Sequence, residues 1–484
     1  MGTETMKQFI SRADHFDIRI LVRPSEKNRV KMAAYRGIPS VEIVWGDMND
    51  EAVISKCVSG MDYVLHVGAM VSPLADKYPK ETMETNLGST HKIINAIKQQ
   101  PNADDIGLVY IGTIAQTGCR RDPIHWGRCG DPIKTSMFDY YADSKVASER
   151  AVFESGLKRF VCLRQTGVLP VDRSAGDEPI IFHQNPNNVL EWVTAIESGV
   201  LLANICEEWI PESFWRKCYN IGGGKEWRFT HSEFSSKNME ALEIDYKKVY
   251  DTRDLGIYNF HGQWYTDSDL LNDITHFRCI KPEQFFGGVA AEINALRANP
   301  MIRAQMPSSE QLRAKNDMVA QKEMGPKWMF DHDREDWIKA FFGSREKQNA
   351  IKSWKEGYEL YRPSETPVYL DHGYDESKLT EELDLTDMKS VAKFRGGTCS
   401  SGDMVTGDLF RPLNWTCAFG HEFKATPNLI LKAGHWCPEC ERETWNYGEI
   451  AKVNPFFAQV WTPLHDDGDT VTIKKVVSDQ IVTK

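Results

Sequence analysis

Two groups of residues in this sequence have the types and spacing to do chemistry. Tyr141 and Lys145 stand one helical turn apart in the run from Phe138 to Arg150. The flanking residues are good helix formers, so the run predicts a helix, and a spacing of four places both side chains on one face. A free tyrosine has a pKa of about 10 and is a poor base near neutrality. A lysine cation one turn away favours the phenolate. Such a pair can move a proton on and off a carbonyl or carbinol oxygen. The second group is a cluster of cysteines. Of the 11 in the chain, Cys399, Cys417, Cys437 and Cys440 fall in one short stretch. Cys437-Pro-Glu-Cys440 is a Cys-x-x-Cys knuckle. Thiolates suit tetrahedral Zn²⁺, and a module this small lacks the core to fold unaided. The expected ligands of a structural zinc are therefore these four cysteines, with His421, in the same turn as Cys417, the rival for one place. A redox Cys-x-x-Cys would need a thioredoxin-like strand and helix around it, which this segment does not offer.

The first group needs a scaffold, and the upstream sequence provides one. Ile106 to Ile111 is a short apolar run suited to a buried parallel strand, and Gly112-Thr113 follows at its C-terminal end. Open α/β sheets place their ligands at that end. Strands are also expected at Ile18 to Arg23, Val41 to Asp47 and Asp62 to Ala69. Helical patterns at Met6 to Arg12, Glu51 to Ser59 and Asn86 to Gln99 separate them. This alternation implies a Rossmann-like, doubly wound parallel sheet.

Taken together, the ordered pieces resemble an extended short-chain dehydrogenase/reductase of the NAD(P)-dependent epimerase branch over residues 1 to about 300. The resemblance rests on Gly46-Asp47-Met48, Gly68-Ala69, Asn86-Leu-Gly88, Thr113, the Tyr141–Lys145 pair, Leu163 to Val168, and Tyr219-Asn-Ile-Gly222-Gly-Gly224. It implies catalytic roles for Thr113, Tyr141 and Lys145. Tyr141 would be general acid or base, Lys145 would hold the nicotinamide ribose and lower the tyrosine pKa, and Thr113 would orient the substrate oxygen. It implies cofactor contacts at Gly2, Arg23, Asp47, Met48, Gly68, Ala69, Tyr141 and Lys145. The family's opening strand and first two loop glycines have no counterpart here. Residues from Gly2 already read as the first helix. The expectation is a sheet lacking its first strand, as in an N-terminally truncated member, with Gly2 as the third glycine of the phosphate loop and an unpaired edge at the sheet centre. Arg23, at a strand end where an acidic residue would bind NAD, favours NADP, with NAD as the alternative. Thr113 is followed by Ile114-Ala115, not by the Asp-Glu of the branch's dehydratases. A carbonyl reductase or an epimerase is thus expected, acting on a small molecule such as a nucleotide sugar. The alternative is a non-catalytic NAD(P)-sensing scaffold whose zinc module contacts a protein partner.

The wider composition fits an enzyme. The chain has 484 residues, 41% of them hydrophobic, and a formal net charge of -11, which disfavours nucleic acid. No apolar run is long enough for a membrane span. The N-terminus lacks a signal-peptide pattern, and the other cysteines show no paired spacing, so a cytoplasmic location is expected. The expected organisation is a Rossmann-like domain over 1–185, a substrate-binding part over 186–300, a helical segment and linker over 301–390, a zinc-ribbon-like module over 391–445 and a tail over 446–484. Trp328, Trp337, Phe341, Phe342, Trp354 and Tyr358 recur at roughly helical spacing in the third of these. They predict an amphipathic segment packed on the reductase or used to form a homodimer. Asp267 and Asp269 are expected to cap a helix at Leu270.

Overall fold

The computed structural model describes residues 1–170 and 178–465. Six parallel strands build the nucleus: β1 (Ile18–Val22), β2 (Val41–Trp45), β3 (Tyr63–His66), β4 (Gly107–Thr113), β5 (Phe160–Gln165) and β6 (Lys217–Ile221). They form two ladders rather than one. β1 pairs with β2, and β3, β4, β5 and β6 follow one another in a second sheet. No ladder joins β1 to β3 among the described residues, so the sheet lacks its first strand, as expected from the sequence.

Burial follows this split. Every residue of β4 and β5 is buried, because each strand has a neighbour on both sides. β1 is only partly buried along its whole length. Side chains take over where backbone bonds stop. Phe9 from α1 (Gly2–Ile10) packs with Phe16 and Ile18 on one side and Tyr63 and Leu65 on the other. α1 in turn lies on α5 (Ala195–Asn204), and Gly199 permits the approach. A Cβ there would sit 2.7 Å from the carbonyl carbon of Glu4. Arg12 locks the pair by donating to Glu207 at 2.7 Å and Asn204 at 2.8 Å. α2 (Glu51–Val58), capped by Asp50, and α3 (Pro79–Lys98) supply further apolar faces to the sheet. α4 (Tyr140–Phe153) packs beside α3.

The aromatic stripe of the helical segment turns inward. Helices Pro326–Asp331 and Glu335–Phe342 bury Met329, Trp337, Ile338, Phe341 and Phe342 against Met137, Phe138 and Ile257 of the part that holds the parallel sheet. Residues 350–379, largely irregular, then run back over the molecule as a strap. The carbonyl of Ser364 accepts from His125 Nε2 at 2.8 Å and Trp126 Nε1 at 3.1 Å.

The cysteine-rich module is a three-stranded antiparallel sheet: β7 (Thr398–Cys399), β8 (Leu413–Thr416) and β9 (Glu422–Ala425). Helices Pro427–Lys432, Tyr447–Val453 and Pro455–Trp461 follow. Residues 447–461, expected as tail, are thus helical, and Tyr447, Ile450 and Phe457 sit in the core. Residues 466–484 of that tail and 171–177 of the expected Rossmann-like region lie outside the described residues. The module does not stand apart. Trp415, Leu429, Ile430 and Phe457 share one apolar cluster with Ile97, Leu108, Val152 and Phe160 of the parallel-sheet part. Asp267 does not cap the helix Ser268–Thr275 as expected. It accepts from Cys129 N at 2.7 Å and Asn220 Nδ2 at 3.0 Å, because the chain there folds back onto β6. No described helix is long and apolar enough to cross a membrane.

The split sheet predicts unequal sensitivity to the same truncation. Leu163→Ala, in the buried β5, should cost about 2–5 kcal/mol in urea unfolding, and Leu21→Ala, on the half-buried β1, should cost less than about 2 kcal/mol. Equal losses would mean that β1 is as firmly held as the sheet centre.

Candidate active site and metal centre

β4 ends in Thr113, which is also the N-cap of the short turn Ile114–Thr117. Its hydroxyl accepts from Ala115 N at 3.2 Å. α4 begins one residue after Asp139, whose carboxylate accepts from Ala142 N at 2.9 Å. The carboxylate of Asp76 lies 3.4 Å from Tyr141 N and adds to that cap. With its start held by two acids, the helix brings Tyr141 to the same cavity that Thr113 lines. One turn on, Lys145 donates to the carbonyl of Ile111 at 2.7 Å, with its ammonium 4.8 Å from the centre of the Tyr110 ring and 5.9 Å from that of Tyr141. Thr113, Tyr141 and Lys145 therefore meet at the C-terminal end of β4.

Burial governs the protonation of this group. It pushes the Tyr141 phenol above its usual range, and the nearby Thr113 hydroxyl works in the opposite direction. It pushes Lys145 down to about 7. The expected lowering of the tyrosine by the lysine is not what the structure gives. The ammonium is itself desolvated and is bonded to a backbone carbonyl. Tyr141 is thus a neutral phenol at neutral pH, ready to donate. Asp76 is raised to about 6 by burial, and Asp139 is raised by burial and by the neighbouring charge of Asp76.

Thr113 and Tyr141 open into a cavity of about 340 Å³. Its far wall comes from the helical segment, in Met324, Trp337 and Phe341. Phe138, held at φ +65°, stacks on Trp337 with ring centres 4.5 Å apart. His183 and His261 also line it, both held neutral by burial at about 4. None of the described lining residues is a lysine or an arginine, and two, Asp76 and Asp139, are acids. Neither the aromatic wall nor the acid pair was identified from the sequence. Aromatic periodicity shows that a helix face is apolar but not which neighbour it covers.

The residues expected to hold a cofactor are placed as follows. Arg23 follows β1, Asp47 and Met48 follow β2, and Gly68 and Ala69 follow β3, all beyond the carboxyl ends of strands. Met48 and Gly68 are brought together, since a Cβ on Gly68 would lie 2.9 Å from the Met48 Cε. Gly2 is the first residue of α1, with open space where a Cβ would stand.

The cysteine module gathers four ligand atoms, but not the four expected. Cys417, His421, Cys437 and Cys440 have ligand atoms all within 4.8 Å of one another. Cys417 Sγ is 3.8 Å from Cys440 Sγ, and His421 Nδ1 is 3.4 Å from Cys437 Sγ and 3.5 Å from Cys440 Sγ. A tetrahedral zinc with Zn–S bonds of about 2.3 Å has ligand-to-ligand edges of roughly 3.8 Å, so the geometry fits that ion. Cys399 is outside the group. It lies opposite Trp415 in the β7–β8 ladder, and its thiol faces Ser401. His421 takes the place because Gly420, at φ +82°, turns the β8–β9 hairpin back on itself. Cys417 N then donates to His421 O at 3.0 Å. The sequence contained the signal, a Gly-His pair beginning three residues after Cys417, and spacing alone did not rank it above a fourth thiol.

Residues 1–167 match the profile of the 3-beta hydroxysteroid dehydrogenase/isomerase family. Curated protein sequences give no match. Among solved structures, the chain is similar to the dTDP-glucose 4,6-dehydratase DesIV from Streptomyces venezuelae with NAD and TYD bound. The identity is 19% and the TM-score 0.49, over 62% of this chain and 94% of that one. It is similar to the dTDP-glucose 4,6-dehydratase of Bacillus anthracis in complex with NAD at 14% identity and TM-score 0.47, over 62% and 94%. It is similar to the UDP-glucose 4-epimerase of Thermus thermophilus in complex with NAD at 16% identity and TM-score 0.44, over 60% and 94%.

The buried lysine has a measurable consequence. Its folded pKa of about 7 lies below the unfolded value near 10.5, so the unfolded chain binds more protons between those limits. This group's contribution to stability rises with pH across that window. Lys145→Met should therefore be more stable than the wild type at pH 7 and below, by on the order of a few kcal/mol, with the gap closing toward pH 10. Urea unfolding at a series of pH values measures it, and a pH-independent gap would contradict the assignment.

Proposed function

We propose, from the match of residues 1–167 to the 3-beta hydroxysteroid dehydrogenase/isomerase profile, that the protein is a nicotinamide-dependent oxidoreductase or epimerase acting on the carbonyl or secondary alcohol of a small molecule. One observation carries this reading: Thr113, Tyr141 and Lys145 converge at a strand end beside a cavity of substrate size. In the reducing direction the Tyr141 phenol donates its proton to the substrate oxygen as that oxygen gains charge. Thr113, on the same cavity wall, would hold the oxygen in line. Lys145 donates to the Ile111 carbonyl behind the site and would hold a ribose hydroxyl of the cofactor. The cofactor, when bound, supplies or accepts the hydride. Arg23, exposed after β1, favours NADP over NAD.

The lining narrows the substrate. A nucleotide sugar brings a diphosphate, which needs basic groups or backbone donors. The described cavity wall offers no basic side chain and two buried carboxyls. Stacked aromatic faces and neutral histidines suit an uncharged, largely apolar ketone or alcohol instead. The cysteine module is proposed to hold one structural zinc through Cys417, His421, Cys437 and Cys440. All four positions are protein ligands, so none is left for catalysis.

Two measurements test these assignments. With NADPH and a panel of apolar ketones, Tyr141→Phe should lower kcat by about 10²–10⁴-fold and leave cofactor binding intact. Equal rates in variant and wild type, or turnover of nucleotide sugars alone, would sink the reading. For the metal, elemental analysis should find about one zinc per chain. His421→Ala and Cys437→Ser should lose it, and Cys399→Ser should keep it. Loss in the Cys399 variant with retention in the His421 variant would restore the four-cysteine set.

A further inference from the structure

The metal module is packed onto the helix that carries Tyr141 and Lys145. Tyr141, Lys145 and Glu149 follow one another at intervals of four along α4 and so share a face. Glu149 is fully buried. It accepts from Arg164 NH2 at 2.6 Å, and its Oε1 lies 3.0 Å from His435 Nε2 of the module. The other nitrogen of His435, Nδ1, lies 3.2 Å from the Glu441 carboxylate. Glu441 also accepts from the backbone N–H of Trp436, and from Arg150 NH2 at 3.1 Å. Arg150 NH2 donates as well to Trp436 O at 2.6 Å, and Arg164 NH2 to Ala433 O at 2.6 Å. At the far end of the helix Glu154 accepts from Thr426 N at 3.0 Å and from its hydroxyl at 2.8 Å. Near the start, Asp143 accepts from Thr135, whose hydroxyl also meets the Tyr447 phenol at 3.1 Å.

The residues doing this flank the knuckle. His435 and Trp436 precede Cys437, and Glu441 follows Cys440. Whatever fixes Cys437 and Cys440 therefore fixes the loop that grips α4. We propose that metal binding at Cys417, His421, Cys437 and Cys440 sets the position of the catalytic helix, with His435 and Glu441 as positioning residues acting through Glu149 and Arg150. The inference rests on the metal reading above; its consequence for activity rests on the reductase reading, but the mechanical link does not.

Hydrogen exchange on the full chain tests that link without substrate or cofactor. Peptides are compared with Zn²⁺ bound, after removal by EDTA, and after Zn²⁺ is restored. Peptides spanning residues 140–153 should exchange about tenfold faster without the metal and recover with it, while those over β4 and β5 stay protected. Loosening confined to residues 413–440 overturns the proposal, as does uniform loosening of the whole sheet. A chain that never retains zinc overturns the metal reading, and this proposal with it. In the zinc-loaded chain His435→Ala should reproduce the faster exchange of 140–153. His435→Gln, whose amide N–H can replace Nε2 toward Glu149, should restore protection to within about threefold of wild type. Identical behaviour of the two variants would show that the histidine only fills space.

Discussion

The buried contact between Glu149 and Arg164 is the constraint on which the rest of this structure depends. Both side chains are almost wholly excluded from solvent. Burial alone would raise the carboxyl, yet the Arg164 charge and the bond to His435 hold it at about 2. Such a pair adds little net stability over an apolar alternative, but removing one partner costs about 3–5 kcal/mol, because the other charge is left buried and alone. Its value here is geometric. Glu149 belongs to α4, Arg164 to β5 and His435 to the cysteine module, so one carboxylate fixes three elements against one another. α4 cannot shift along β4 and β5 without breaking it, and the position of Tyr141 over Thr113 follows.

The same economy explains the active-site wall. The Thr113–Tyr141 cavity takes one of its walls from the helical segment. The helices after residue 326 close it with Trp337 and Phe341, and Phe138 reaches the stack from a strained backbone conformation next to the helix cap. The strap over residues 350–379 then carries the chain to the module, anchored on the way at His125 and Trp126. The parts that sequence composition divides into separate segments are in the folded chain one packed body around a single helix. One face of the module is buried against the parallel-sheet part.

What was legible beforehand divides along physical lines. Strands β1 to β4 were readable because each is a short apolar run between turn residues, and Tyr141, Lys145 and Thr113 because local periodicity and strand ends are local properties. The missing ladder between β1 and β3 was readable too, since Gly2 to Ile10 already has a helical pattern. Contacts made across long separations were not. Glu149 and His435 lie 286 positions apart, and nothing near either residue announces the other. The substitution of His421 for Cys399 turned on a hairpin conformation, set by Gly420 and the β8–β9 register, that spacing does not encode. The protonation of Lys145 was misjudged for a related reason: its charge was counted, but its desolvation could be seen only in three dimensions.

The central claim is that the strand ends around Thr113 and Tyr141 receive a nicotinamide cofactor. A fluorescence titration of the intact chain with NADPH and with NADH addresses it most directly. Saturable binding at about one equivalent per chain is expected, tighter for NADPH by about tenfold if Arg23 meets the 2′-phosphate. No saturable binding of either nucleotide would contradict it, and would leave the Thr113, Tyr141 and Lys145 arrangement without a reaction to perform.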